Sequence, residues 1–73
     1  MPYPRALLRR KDVELRTGIS RSALYEKLNP ANPRYDAGFP IPVRTGAMSV
    51  RWIEGEVDAW IASRPRARIV EGR

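Results

Sequence analysis

Leu24 and Leu28 lie four residues apart, and Ile53, Val57, Trp60 and Ile61 follow one another at i, i+4, i+7 and i+8. Both spacings put apolar side chains on one face of a helix. They predict a helix over residues 21–28 and a clearer one over 53–63. Glu54, Glu56 and Asp58 load the first half of the latter, Arg64 sits at its end and Pro65 stops it, the order that a helix dipole favours. Residues 10–17 read as a further short helix, with Asp12 and Glu14 early, Arg16 late, and Val13 and Thr17 on one face. Arg9 and Arg10 are poor caps for its start, and Leu15 falls off its stripe toward solvent.

Between these helices the pattern changes. Two prolines and two asparagines make 29–38 a loop, which Tyr35 and Phe39 are expected to pin to the core. Pro40 and Pro42 hold Phe39 and Ile41 extended. Val50 and Trp52 then alternate with Arg51, which predicts a hairpin with arms 42–44 and 49–52 and a tip at 45–48. On this reading both Arg44 and Arg51 stand on its solvent face, as a basic wing requires. Leu7–Leu8 is a short apolar anchor, and Trp52 and Trp60 belong to the core.

The chain has 73 residues, enough for one domain, and a chain of that size buries only ~60% of its unfolded surface. It carries a net charge of +6 and has a pI of about 10.8. Twelve of its fourteen basic residues are arginine, whose planar fork binds phosphate bidentately. It has no cysteine and no histidine, hence no disulfide, no thiolate metal site and none of the commonest general base. The helical carboxylates are better read as dipole partners on a solvated face than as acid–base pairs. We expect no enzyme, no cofactor and no metal. No apolar run approaches the ~20 residues of a membrane span, and Met1–Pro4 does not resemble a signal peptide, so a cytoplasmic protein associated with the bacterial nucleoid is expected.

The most specific segment is Gly18-Ile19-Ser20-Arg21-Ser22-Ala23-Leu24-Tyr25. Gly18 permits the positive φ of a helix end, Ile19 plugs a turn and Ser20 is a good N-cap. With Leu24 and Leu28 turned inward, Arg21, Ser22, Tyr25 and Lys27 are left outside. The segment looks like the turn and second helix of a helix-turn-helix, and that second helix is expected to lie in the major groove. Together, Lys11-Asp12-Val13, Thr17 to Ser22, Leu24-Tyr25, Tyr35-Asp36, Phe39-Pro40, Val43, Val50-Arg51-Trp52 and Glu56-Val57-Asp58-Ala59-Trp60 resemble the AlpA-type phage and prophage regulators over residues 7–63. The early motif is shared with MerR-like regulators, and the later signatures narrow the match. The resemblance implies a mainly α fold with a small β-hairpin, a compact winged helix-turn-helix of the excisionase/MerR-like type. It also implies control of nearby genes, or steering of an integrase toward excision. No coiled coil or effector domain of the MerR kind is expected.

The expected partner is double-stranded DNA. Arg21 is the first choice for a bidentate contact to guanine, with a phosphate contact as the alternative. Ser20 is foremost a cap that brings a helix N-terminus toward phosphate. Ser22 and Tyr25 can meet base or phosphate, and Tyr25 can instead pack half-buried. Lys27 meets phosphate or solvent. Glu26 should turn away, toward a neighbouring arginine. Arg10 and Lys11 can clamp the flanking backbone. Of Arg44 and Arg51, one is expected at the minor groove, the alternative being two ordinary surface arginines. Neutralising about six phosphates gives a slope of log affinity on log salt near −5.

The expected organisation is a flexible leader (1–6), the DNA-binding domain (7–63) and a basic flexible tail (64–73). A domain this small reads few base pairs, so cooperative self-association on DNA is expected, with an integrase or RNA polymerase as a further contact. A protein-interaction module is the competing class. It needs an exposed apolar patch, for which Leu15, Met48 and Ile69–Val70 are the candidates.

Overall fold

The computed structural model describes residues 6–68. In chain order it contains β1 (Leu7–Leu8), α1 (Arg10–Thr17), α2 (Arg21–Leu28), β2 (Val43–Gly46), β3 (Ser49–Ile53) and α3 (Glu54–Ala62). Most of the leader, and Ile69, Val70 and Arg73 of the tail, lie outside the described residues. Two short helices joined by a tight turn and followed by a hairpin make a winged helix-turn-helix, and α3 packs behind it.

The first two helices form where the sequence predicts them. The weak start of α1 is held by its own third residue, since Arg9 N–H donates to Asp12 Oδ2 at 3.1 Å. Gly18 ends the helix at φ 73°, its N–H donating to Glu14 O at 2.8 Å. The Thr17 hydroxyl fastens the turn on both sides: it donates to Val13 O at 2.7 Å and accepts from Ile19 N–H at 3.2 Å. Ser20 Oγ then accepts from Ala23 N–H at 3.2 Å, capping α2. At its other end α2 stops at Asn29, which is extended because Pro30 follows it.

The sheet corrects the sequence reading in four places. Leu7–Leu8 is more than an anchor: it is an antiparallel edge strand, with Leu7 opposite Ile53 and Leu8 opposite Trp52, giving strand order β1-β3-β2. This pairing keeps Ile53 extended, so the last helix starts at Glu54 and ends at Ala62. The hairpin tip is shorter than expected. A register irregularity between Arg44 and Gly46 lets β2 run on to a turn at Ala47–Met48. Finally, Arg44 is paired with Val50, and Val43 with Arg51. Directly opposed residues share a face and successive residues alternate. Arg44 therefore lies on the Trp52 side of the hairpin and Arg51 on the other. The two arginines do not share one solvent face.

The core consists of Leu8, Val13, Leu24, Phe39, Trp52, Val57 and Trp60, with Ile19, Leu28, Val50 and Ile61 packed against it. Every element except β2 contributes a buried residue. Trp52 is completely buried and its indole N–H donates to Pro40 O at 3.1 Å, which ties the loop's extended end to the sheet. Phe39 meets Trp60 edge to face, with centroids 4.9 Å apart. Phe39 thus pins the loop as expected, whereas Tyr35 is exposed. Arg16 links α1 to α3 through Glu54 at 2.7 Å and Asp58 at 3.2 Å. Leu15 on α1 and Met48 in the hairpin turn are 83% and 95% exposed.

Asp36 joins the loop to both α2 and α3. Its N–H donates to Lys27 O at 3.0 Å and its carbonyl accepts from Phe39 N–H at 3.0 Å. Its carboxylate accepts from Trp60 Nε1–H at 3.0 Å and from Gly38 N–H at 2.8 Å, with Arg64 at 3.6 Å. The Trp60 indole, then the Gly38 amide, and further Arg64 and Lys27, hold its pKa below the ordinary carboxylate value. A lowered native pKa means stability that is present above the unfolded-state value and lost as pH falls through the native one. Stability from this group is therefore constant above about pH 5 and declines below it. Asp36→Asn leaves one amide oxygen for two donors, Trp60 Nε1–H and Gly38 N–H, and sets an NH2 donor against the other. Its melting temperature should fall well below wild type at pH 7, and the gap should narrow as pH drops toward 3. A pH-independent gap in melting curves would refute this.

Candidate nucleic-acid interface

Leu24 is fully buried in α2, so the helix has one inner face and one outer face. Arg21, Ser22 and Tyr25 are exposed on the outer face. Tyr25 is 45% exposed, and the Arg21 guanidinium lies 5.9 Å from its ring centroid. Such a contact holds the long arginine against a rigid ring while leaving its donors in water. Glu26 does meet a neighbouring arginine, Arg34, 3.6 Å away, but it does not turn away as expected: it lines the same groove. Arg21, Ser22, Tyr25 and Glu26 line a groove with Asn29 and Asn32 of the loop. The sequence reading gave those two asparagines no role beyond breaking helix. Asn29 was legible in principle, because it continues the outer stripe four residues after Tyr25. Asn32 was not, because its place depends on the path of the loop.

A second groove begins at the same corner. Arg10, Lys11, Glu14, Leu15, Gly18, Ile19 and Ser20 line it, so the clamp residues expected on α1 meet the cap of α2. Arg10 is ion-paired with Glu14, and a phosphate must compete with that carboxylate for it. Lys11 is exposed and pairs with no carboxylate among the described residues.

Lys27 stands apart from this surface. It is half-buried, with Nζ 5.7 Å from the Trp60 ring centroid, on the flank of α2 that meets α3. Arg64 lies over the same indole at 4.2 Å, its Nε donating to Trp60 O at 3.2 Å. On the hairpin, Arg44 is folded toward the turn, donating to Ala47 O at 3.3 Å, and Arg51 donates to Val50 O at 2.8 Å. Neither pairs with a carboxylate among the described residues. Basic and hydroxyl groups thus gather at the α1–α2 corner and along the outer face of α2. The hairpin adds one arginine to each of its sides.

Among the described residues there is no cluster of acidic groups able to hold a metal, and no helix is long and apolar enough to cross a membrane. A family model described as prophage CP4-57 regulatory protein (AlpA) matches residues 6–65. The chain is 47% identical over 58 residues to the DNA-binding transcriptional activator AlpA of Escherichia coli (strain K12), covering 80% of this chain and 83% of that protein. It is 35% identical over 72 residues to the uncharacterized protein ORF88 of Enterobacteria phage P4, covering 93% of this chain and 75% of that protein. No solved structure matches significantly.

Proposed function

Because the chain belongs to the AlpA family of prophage regulatory proteins, we propose that it is a DNA-binding transcriptional regulator of a phage or prophage, reading duplex DNA with the outer face of α2. The observation that carries this reading is the polarity of that helix. Leu24 is sealed in the core, while Arg21, Ser22 and Tyr25 stand outside with no carboxylate paired to Arg21 among the described residues. With α2 in the major groove, Arg21 reaches base edges, and Ser22 and Tyr25 reach base or phosphate. Ser20 turns the N-terminus of the helix toward the flanking phosphate, where Lys11 and Arg10 clamp the strand. One hairpin arginine can face the minor groove at a time, since Arg44 and Arg51 lie on opposite sides.

The regulator acts in the cytoplasm by binding, and no residue is assigned a chemical step. Copies bind neighbouring sites cooperatively, because one short helix reads few base pairs. Footprinting on DNA flanking the encoding gene tests the role. Protection at a promoter supports transcription control, with polymerase as the further contact. Protection confined to an integrase attachment site would replace it with control of excision. Arg21→Ala should cost ~1–3 kcal/mol on the preferred sequence and relax specificity at one position. An equal loss on every sequence in a competition assay would reduce Arg21 to a phosphate contact.

A further inference from the structure

We propose that the loop following α2 is a second DNA-backbone clamp, in which Asn29, Asn32 and Arg34 hold a phosphate beside the groove that α2 reads. This extends the DNA-binding reading above and rests on it. Asn29 Oδ1 accepts from Ala31 N–H at 3.0 Å, and Asn32 Oδ1 accepts from Arg34 N–H at 2.8 Å. A backbone N–H can donate only to the side-chain oxygen, so these bonds fix which end of each amide faces the loop. Each Nδ2 group is then what the side chain offers to the groove it lines with Arg21, Ser22 and Tyr25. Asn32 N–H donates to Asn29 O at 2.9 Å, which couples the two residues into one rigid corner.

The chemistry of the corner selects its ligand. Reading adenine with asparagine takes a donor and an acceptor together. Here each Oδ1 already holds a backbone N–H, so the corner offers chiefly its Nδ2 donors. Guanine O6 and N7 accept donors as a phosphate oxygen does, but the corner lies on the loop beyond the reading helix, where the strand backbone passes. A loss confined to the specific duplex would assign it to a base instead. Charge agrees. Arg34 is 76% exposed at its side chain and stands 3.6 Å from Glu26, the one carboxylate lining the groove, whose repulsion toward phosphate it offsets. Asp36, with its N–H on Lys27 O and its carboxylate on Trp60, anchors the far end of the same loop to the core, so the corner is held in place before DNA arrives.

Affinity for a specific and a random duplex, measured across a salt series on the full chain, tests the clamp. Asn32→Ala should weaken binding about tenfold on both duplexes, the value of one hydrogen bond to a charged group. Asn32→Asp keeps the oxygen that accepts from Arg34 N–H but sets a negative charge against phosphate, so it should bind more weakly than Asn32→Ala. Arg34→Ala should make the salt slope shallower by about 1. If Asn32→Asp binds as well as wild type, the side chain serves only the loop turn and the clamp is overturned while DNA binding stands. If the unaltered chain itself binds with no salt dependence, the underlying DNA-binding reading fails and takes the clamp with it.

Discussion

Trp52→Ala will remove most of the thermal stability of this domain. Truncating a buried tryptophan costs about 3–5 kcal/mol through lost transfer energy and the cavity left behind. Trp52, on β3, is fully buried in the core, and its N–H satisfies the carbonyl of Pro40, itself buried. Removing the indole leaves that carbonyl without its partner, a further penalty of about 1–3 kcal/mol. A domain at 0.05–0.15 kcal/mol per residue has only about 4–11 kcal/mol in total. The comparison is Leu15→Ala on α1, a change at the surface that should stay within about 0.5 kcal/mol. Circular dichroism melts of the two variants decide the matter. A Trp52→Ala chain that melts cooperatively within a few degrees of wild type would contradict the central place given to this side chain.

The second large effect is on DNA affinity. Three cations of the proposed surface, Lys11, Arg21 and whichever of Arg44 and Arg51 faces the DNA, have no carboxylate partner among the described residues. Arg10 and Arg34 are paired but can exchange a carboxylate for phosphate. Between three and five neutralised phosphates give a log–log salt slope of about −2.7 to −4.5. Raising salt from 50 to 200 mM should then weaken binding by roughly 40- to 500-fold, as read by fluorescence anisotropy on a short duplex. Lys27, against Trp60 on the far flank of α2, should contribute little: Lys27→Ala should leave the slope unchanged and act through stability instead. A flat wild-type slope would remove the DNA-binding reading as a whole.

Local signals made much of the domain legible. Gly18, Ile19 and Ser20 announce a helix end, a plug and a cap, each effect spanning a few residues, and the helices on either side formed at Arg10–Thr17 and Arg21–Leu28 as the pattern requires. The outward set of Arg21, Ser22 and Tyr25 followed from the same periodicity. Lys27 did not, because the flank of a helix that meets a neighbour depends on where that neighbour lies. Nothing within residues 21–28 says that Trp60 will stand beside Lys27.

The wing shows the same division. Alternation along β3 correctly set Val50 and Trp52 against Arg51. It could not give the register across the hairpin, which pairs Arg44 with Val50 and so sends the two arginines to opposite sides. Register is a property of two strands and the turn between them. Leu7–Leu8 is too short to announce itself as a strand, and becomes one only because β3 offers it an edge. Asn29, Asn32 and Arg34 gather beside α2 because Asp36 binds Lys27 and Trp60, contacts that no local rule contains.

The order of residues by itself determined the helices, their caps, the buried stripe and the surplus of positive charge, since each depends on neighbours within about one turn. Tertiary structure alone decided which cations share a surface, which are spent on the core, and where the loop meets the reading helix. Those outcomes depend on register and on contacts between distant segments, which exist only once the chain has folded.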